Sequence, residues 1–398
     1  MKKIKRISAI AITMLAMVSC QKDIKSLNQS KELPADESEA INALRAETSH
    51  PDNNNGNSQG HVYTLSNQTT GNYVMDYKRA ANGTLTLAAS YSAGGNGSGG
   101  GLGNQGAVIL TSDDDDNMLL AVNAGSNTIS SFKITGSGLS LKSTVSSGGV
   151  KPVSITENDG IVYVLNAGGD GNISGFRLGS NNKLTPIPNS TKPLSSNASA
   201  AAQVSFVRNG RVLVITERMT NKIITYRVNE WGLPGAMHSI TSATPTPFGF
   251  ATDRFGNIYV SEAAGGAAGA STVSSYRVDY TGNITLVDGP VGANQSAACW
   301  VVLTDDGRFA YATNTASNNL TSFSVHPYSG NLDVLHAIAA TSQMGPIDAA
   351  LSTNSKYLYV LNGGSHSISV YRVANNGGLS DVQTVAGLPV GANGLAAR

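Results

Sequence analysis

The feature that most constrains this chain is a phrase it repeats. Residues 162 to 176 read "VYVLNAGGDGNISGF", and residues 359 to 371 read "YVLNGGSHSISVY". Alignment on this phrase gives seven copies: "VYTLSNQTTGNYVMDYKR", "LLAVNAGSNTISSFKI", "VYVLNAGGDGNISGFRL", "VLVITERMTNKIITYRV", "IYVSEAAGGAAGASTVSSYRV", "AYATNTASNNLTSFSV" and "LYVLNGGSHSISVYRV". Each copy alternates apolar and polar residues, breaks at a Gly, Asn or Ser turn, and alternates again, which is the period-2 pattern of paired strands. An aromatic closes the second strand every time (Tyr77, Phe132, Phe176, Tyr226, Tyr276, Phe323, Tyr371). Strand alternation puts these rings on one face, where they are expected to fill the gap to a neighbouring sheet. A cation follows in six copies (Lys78, Lys133, Arg177, Arg227, Arg277, Arg372) and is expected to point outward.

A third strand and then a more apolar segment follow each phrase: "GAVILTSD", "PVSITEND", "QVSFVRNG", "GFATDRFG", "CWVVLTDDG" and "IDAALSTNS". The apolar segment reads as the innermost strand of the next unit. With a spacing of roughly 43 to 56 residues, the pattern predicts an all-β, seven-bladed β-propeller of four-stranded blades over 61–398. The first phrase has no inner strand before it, while the chain ends with an orphan, "GANGLAAR". That segment is expected to complete the first blade and remove the exposed sheet edges that invite aggregation.

The other end carries an export signal. "MKKIKR" supplies Lys2, Lys3, Lys5 and Arg6, and the uncharged run "ISAIAITMLAMVSC" ends at Cys20. This ending resembles a bacterial lipobox, which implies a signal over 1–20, acylation of Cys20 as the mature N-terminus, and a lipid-anchored protein of the cell envelope, on its periplasmic or cell-surface side. Residues 21–60 read as a flexible tether with one short helix at "DESEAINALRAE". Loss of the signal takes four positive charges from the formal +1 and leaves about −3, so no basic field for nucleic acid remains. Cys299 is then left without a disulfide partner and reads as a buried thiol.

"DGRFAYATN" followed by "NNLTSFSV", with its six relatives, resembles the seven-bladed propeller family of 6-phosphogluconolactonase and fungal carboxymuconate lactonizing enzyme. The resemblance implies a site at the channel mouth, with His and Arg ahead of the inner strands and Glu and Arg past neighbouring strand ends. Here those motif positions fall on Ala201, Ala202 and Gln203, on Pro152 and Val153, on Thr315 after Asn314, and on Glu217 and Arg218, so each departs from the pattern. Opening a lactone needs an acid-base pair or activated water and a stabiliser of developing charge. Replacement of the His and Arg groups removes both kinds of help. In addition, 6-phosphogluconolactone is made in the cytosol, where an exported chain would not meet it.

A ring of polar residues ends the first strand of each phrase: Ser66, Asn123, Asn166, Glu217, Glu262, Asn314 and Asn362. Asn before a Gly-rich turn can serve the turn itself. Two Glu residues in adjacent blades are instead expected to face the mouth and repel unless a cation or a proton intervenes, with Arg218 or Lys151 as partner. Glu217, Arg218 and Glu262 are therefore candidate catalytic groups. Lys151, Gln203, Asn123, Asn166, Asn314, Asn362 and His366 are candidate ligand-binding groups. No cofactor is called for by any motif; calcium held by Glu and Asn stays open. The histidines show no metal-pair spacing, "GGNGSGGGLGNQG" at 94–106 reads as a linker without a phosphate-binding ending, and "DDDD" at 113–116 reads as a solvated turn. Two functions follow: a monomeric binding or scaffold module taking a small molecule, glycan or envelope protein, or an exported lactone hydrolase using Glu217 and Glu262.

Overall fold

The computed structural model describes residues 60–111, 118–326 and 328–398. The export signal expected over 1–20, the tether expected over 21–60 except Gly60, and the Asp113–Asp116 run lie outside the described residues.

Seven antiparallel sheets follow the repeat register closely. Blades 2 to 7 begin with the inner strands Val108–Leu110, Val150–Asn158, Ala201–Val207, Pro247–Thr252, Ala298–Leu303 and Pro346–Leu351. Each is followed by the two strands of the repeated phrase and an outer strand, and in blade 3 the outer strand is split into Leu184–Pro186 and Lys192–Pro193. Blade 1 is closed by the C-terminal strand Asn393–Ala397, which pairs with Gly60–Leu65 through Tyr63 opposite Ala396. The chain is therefore all-β and seven-bladed. The one helical element among the described residues is a single 3-10 turn, Ala264–Gly266, and no described helix is long and apolar enough to cross a membrane.

The recurring aromatics are all at most 2% exposed, and they pack across blade boundaries. Tyr77 of blade 1 lies with Tyr357 and Tyr359 of blade 7, Tyr276 of blade 5 with Val212 of blade 4, and Tyr371 of blade 7 with Phe309 and Tyr311 of blade 6. A sheet cannot bury both of its faces alone, so each blade needs its neighbours. A second aromatic row on the preceding strand ties the blades by polar tips: Tyr163 donates to the Gly232 carbonyl at 2.6 Å and Tyr311 to that of Gly377 at 3.0 Å. The cations after the aromatics are exposed, except Arg277, which is half-buried.

Two faces result. The hairpins joining the second and third strands, and the links entering the inner strands, make the upper face; the remaining turns make the lower one.

Candidate functional site at the channel mouth

The polar ring does not line the mouth. Its members are at most 2% exposed; they bond within their own hairpins and, at Asn123, Asn166, Glu217 and Glu262, also to the preceding blade or the link that leaves it. Asn123 donates to Thr128 and to Ser130 Oγ at 2.9 Å and accepts from Asn72 Nδ2 at 3.0 Å. Asn314 donates to Asn319 and Thr321, at 2.8 and 2.9 Å, and Asn362 to Ser369 Oγ at 2.9 Å. Asn166 reaches Asn172 and the Ser147 carbonyl. Carboxamides and cross-strand hydroxyls thus latch the hairpin, because a buried polar group must find a partner.

The two glutamates are engaged in the same way. Glu217 accepts from the Ser195 amide at 2.8 Å, from the Ser195 hydroxyl and from Thr220 Oγ1. Glu262 accepts from four hydroxyls: Ser242 at 2.6 Å and Tyr276, Thr272 and Ser274 at 2.7 Å each. Neither carboxylate faces the mouth, and neither is paired with Arg218 or Lys151. Hydroxyl donors stabilise each charge in place of a cation. No group of three or more His, Cys, Asp or Glu gathers among the described residues, and the oxygens of Glu262 already accept two hydrogen bonds apiece, so these residues do not fit a calcium site.

The other candidates also have structural partners. Gln203 is 7% exposed and engages the Phe250 backbone with both ends of its carboxamide. Lys151 is half-buried, with φ of 55°, and its amide is held by Asn127 Oδ1 at 2.8 Å. His366 occupies a left-handed turn position on the upper face, φ 51°, and remains half-exposed.

What closes the mouth is the Gly-rich link between blades 1 and 2. Its end, Leu102–Gly106, crosses the ring. The Gln105 amide donates to the Ala202 carbonyl of blade 4 at 3.2 Å. Its side chain bonds both backbone edges of Val301 in blade 6, at 3.0 and 3.3 Å. Asn104 donates to the Val153 carbonyl of blade 3 and accepts from Trp300 Nε1 at 2.6 Å. A glycine is required at 249, where a Cβ would stand 2.2 Å from Gln105 Oε1 and 2.8 Å from the Cys299 carbonyl.

Beside this plug, on blades 4 to 6, Arg218 is the group that stands out. Its Nε donates to the Ala200 carbonyl at 2.8 Å, and its guanidinium lies 4.8 Å from the centre of the Phe248 ring. Gly103 of the plug packs against it, at φ 63°, where a side chain would be strained. The terminal nitrogens bond no protein group, and no carboxylate pairs with the guanidinium among the described residues. Burial lowers its pKa from the ordinary arginine value without discharging it. Nearby, Cys299 is buried with Trp300, Phe248 and Ala202; burial pushes its thiol up to about 11, against the opposing effects of Thr315 and Arg218. A thiol so raised is protonated and a poor nucleophile at neutral pH. The mouth therefore offers, among the described residues, a guanidinium without a carboxylate partner, backed by the buried Phe248 ring.

Fold and site define a seven-bladed propeller with a plugged channel and a cationic upper rim. The chain resembles the lactonase propellers: the family described as "Lactonase, 7-bladed beta-propeller" matches residues 260–392. No curated protein matches the chain. Among solved structures, a protein provisionally named 6-phosphogluconolactonase from Bacteroides fragilis aligns at TM-score 0.68 and 16% identity, over 85% of this chain and 98% of that one. A similarly named protein from Bacteroides uniformis aligns at 0.67 and 19%, over 84% and 99%. The periplasmic gluconolactonase of Pseudomonas aeruginosa aligns at 0.65 and 18%, over 84% and 99%. At these identities the likeness is one of fold.

Proposed function

We propose that this protein is an exported, lipid-anchored binding module that holds a small anionic ligand of the sugar-acid class at its upper face. The observation that carries this reading is Arg218, a largely desolvated guanidinium with no carboxylate partner, placed over an aromatic ring beside the channel mouth. Such a cation binds a carboxylate or phosphate by charge-assisted hydrogen bonds. The anchor rests on the leader and Cys20. A second reading, an exported lactone hydrolase using Glu217 and Glu262, is favoured by the family match over 260–392. Against it stand the hydroxyl networks that occupy both carboxylates.

Calorimetry with gluconate, 6-phosphogluconate and glucose tests the first reading, alongside lactone turnover followed by proton release. The acids are expected to bind and glucose not, with roughly tenfold or greater loss in Arg218→Gln, and no lactone is opened. Absence of anion binding would sink the module; turnover lost in Glu217→Gln and Glu262→Gln would establish the hydrolase. Incorporation of labelled fatty acid, abolished by Cys20→Ser, tests the anchor separately.

A further inference from the structure

The plug leaves the channel beneath it as a cup, closed above and open on the lower face. Three adjoining spaces of about 390, 370 and 340 Å³ share Leu351, and the second and third reach the underside of Gln105. The first runs out between residues of the lower turns, Asp305, Thr353 and Ser355. Aliphatic side chains form much of the wall: Leu110, Ala251, Val302, Leu303 and Leu351 are half-buried, each on an inner strand. Among the described residues Arg398, at the open end, is the one Lys or Arg of this lining.

The inner strands turn their free backbone edge toward this cup. In its upper tier those edges are clasped by side chains. Gln105 takes the N–H and the C=O of Val301, at 3.3 and 3.0 Å, and Gln203 takes those of Phe250, at 2.6 and 3.0 Å. Because a strand repeats every second residue, the same edge returns two residues lower, at Leu303 and at Thr252. The next residue in blade 6, Thr304, donates its N–H to Phe309 of the second strand, which leaves the Leu303 groups pointing the other way, into the cup. The equivalent bond follows Leu110, Thr252, Leu351 and Ala397, so five blades present this lower edge. No side chain clasps any of the five among the described residues.

A backbone edge facing an enclosed space needs a donor and an acceptor. The upper tier shows which group supplies both: a carboxamide carries N–H and C=O side by side and spans the two edge groups of one residue. A charged group suits this wall poorly, since the aliphatic side chains disfavour its desolvation and an anion would meet no cation above the open end. Aliphatic walls with a few placed backbone groups are the usual lining of a small-molecule site, and the spaces are of the usual size.

We infer that the cup is a second ligand site, entered from the lower face, for small uncharged molecules that carry a primary carboxamide on an apolar body. The amide clasps the Leu303 and Thr252 edges as Gln105 and Gln203 clasp the edges above them, and the body rests on the aliphatic wall. The site is separate from Arg218 and does not rest on the reading given for it.

Two amides make the test. Phenylacetamide and N,N-dimethylphenylacetamide share one apolar body, but the second has no N–H to give. Both are titrated against the full chain by saturation-transfer NMR. The primary amide is expected to bind saturably, and the dimethyl amide about tenfold more weakly. Ala251→Phe, which fills the cup from blade 5, is expected to abolish binding; Ser205→Phe, which fills it from blade 4, takes its place if the first variant does not fold. Arg218→Gln should bind the amide as the wild type does, which separates this result from the fate of the mouth. The inference is overturned by no binding of the primary amide, by equal binding of the two amides, by binding undiminished in a filled variant, or by binding lost in Arg218→Gln.

Discussion

Gln203 clasps Phe250 of the neighbouring inner strand by both backbone edges, its Nε2 donating to the carbonyl at 3.0 Å and its Oε1 accepting from the amide at 2.6 Å. Ser154 does the same to Val204 with one hydroxyl, accepting at 3.1 Å and donating at 3.5 Å. Asp348 holds the equivalent place in blade 7, opposite Leu361 as Gln203 is opposite Thr216. Its carboxyl faces Leu395 of the closing strand, accepts from the Ala349 amide at 2.8 Å and leaves Oδ2 buried without a partner. A neutral carboxyl would supply the same donor and acceptor as a carboxamide.

Burial holds the Asp348 pKa well above the ordinary range. In the unfolded chain it ionises near the usual value of about 3.9. Between that pH and its raised folded pKa the native state binds the extra proton, so stability falls as pH rises, by about 1.4 kcal/mol per pH unit at most. Asp348→Asn should flatten this slope and raise the melting temperature at neutral pH while changing little near pH ~3. Melting curves across pH decide it; an Asn variant less stable at neutral pH contradicts the clasp.

Removal of the Glu262 carboxylate strands four hydroxyls. Glu262→Ala should cost about 3 kcal/mol or more in urea unfolding, and Glu262→Gln, which keeps the shape and one acceptor oxygen, clearly less. Wild-type stability in both variants would show that the carboxylate is not a latch and would reopen a role in chemistry.

The plug depends on the missing side chain at residue 249. Gly249→Val should push Gln105 and Asn104 off their partners at a cost of about 1–3 kcal/mol, and expose Trp300 to iodide quenching. Unchanged quenching would mean that the link accommodates the side chain without leaving the mouth.

Much of this architecture was legible from period 2 and the repeat register alone. The orphan "GANGLAAR" gave the ring closure because strand arithmetic leaves one blade short. Alternation assigns a side chain to a face but not to a depth, and so it points Glu217 and Glu262 toward the mouth although both are fully buried. The donors that satisfy Glu262 include Ser242, whose approach depends on the link leaving blade 4, which no local pattern displays. The plug was invisible for a related reason: its path is fixed by bonds from Asn104 and Gln105 to Trp300 and Val301, 196 residues downstream, while its own sequence says only that it can bend. Arg218 was visible as a departure from its siblings, but its lack of a partner could be learned only from the structure.

The pairing of Tyr63 with Ala396 also sets an order of assembly. Blade 1 is synthesised first and finished last, so its leading strand presents bare amides and carbonyls until the final residues arrive. The entropy of bringing such distant segments together grows only slowly with their separation. A chain cut short of its last strand would carry a permanently open edge, able to recruit a strand from another copy.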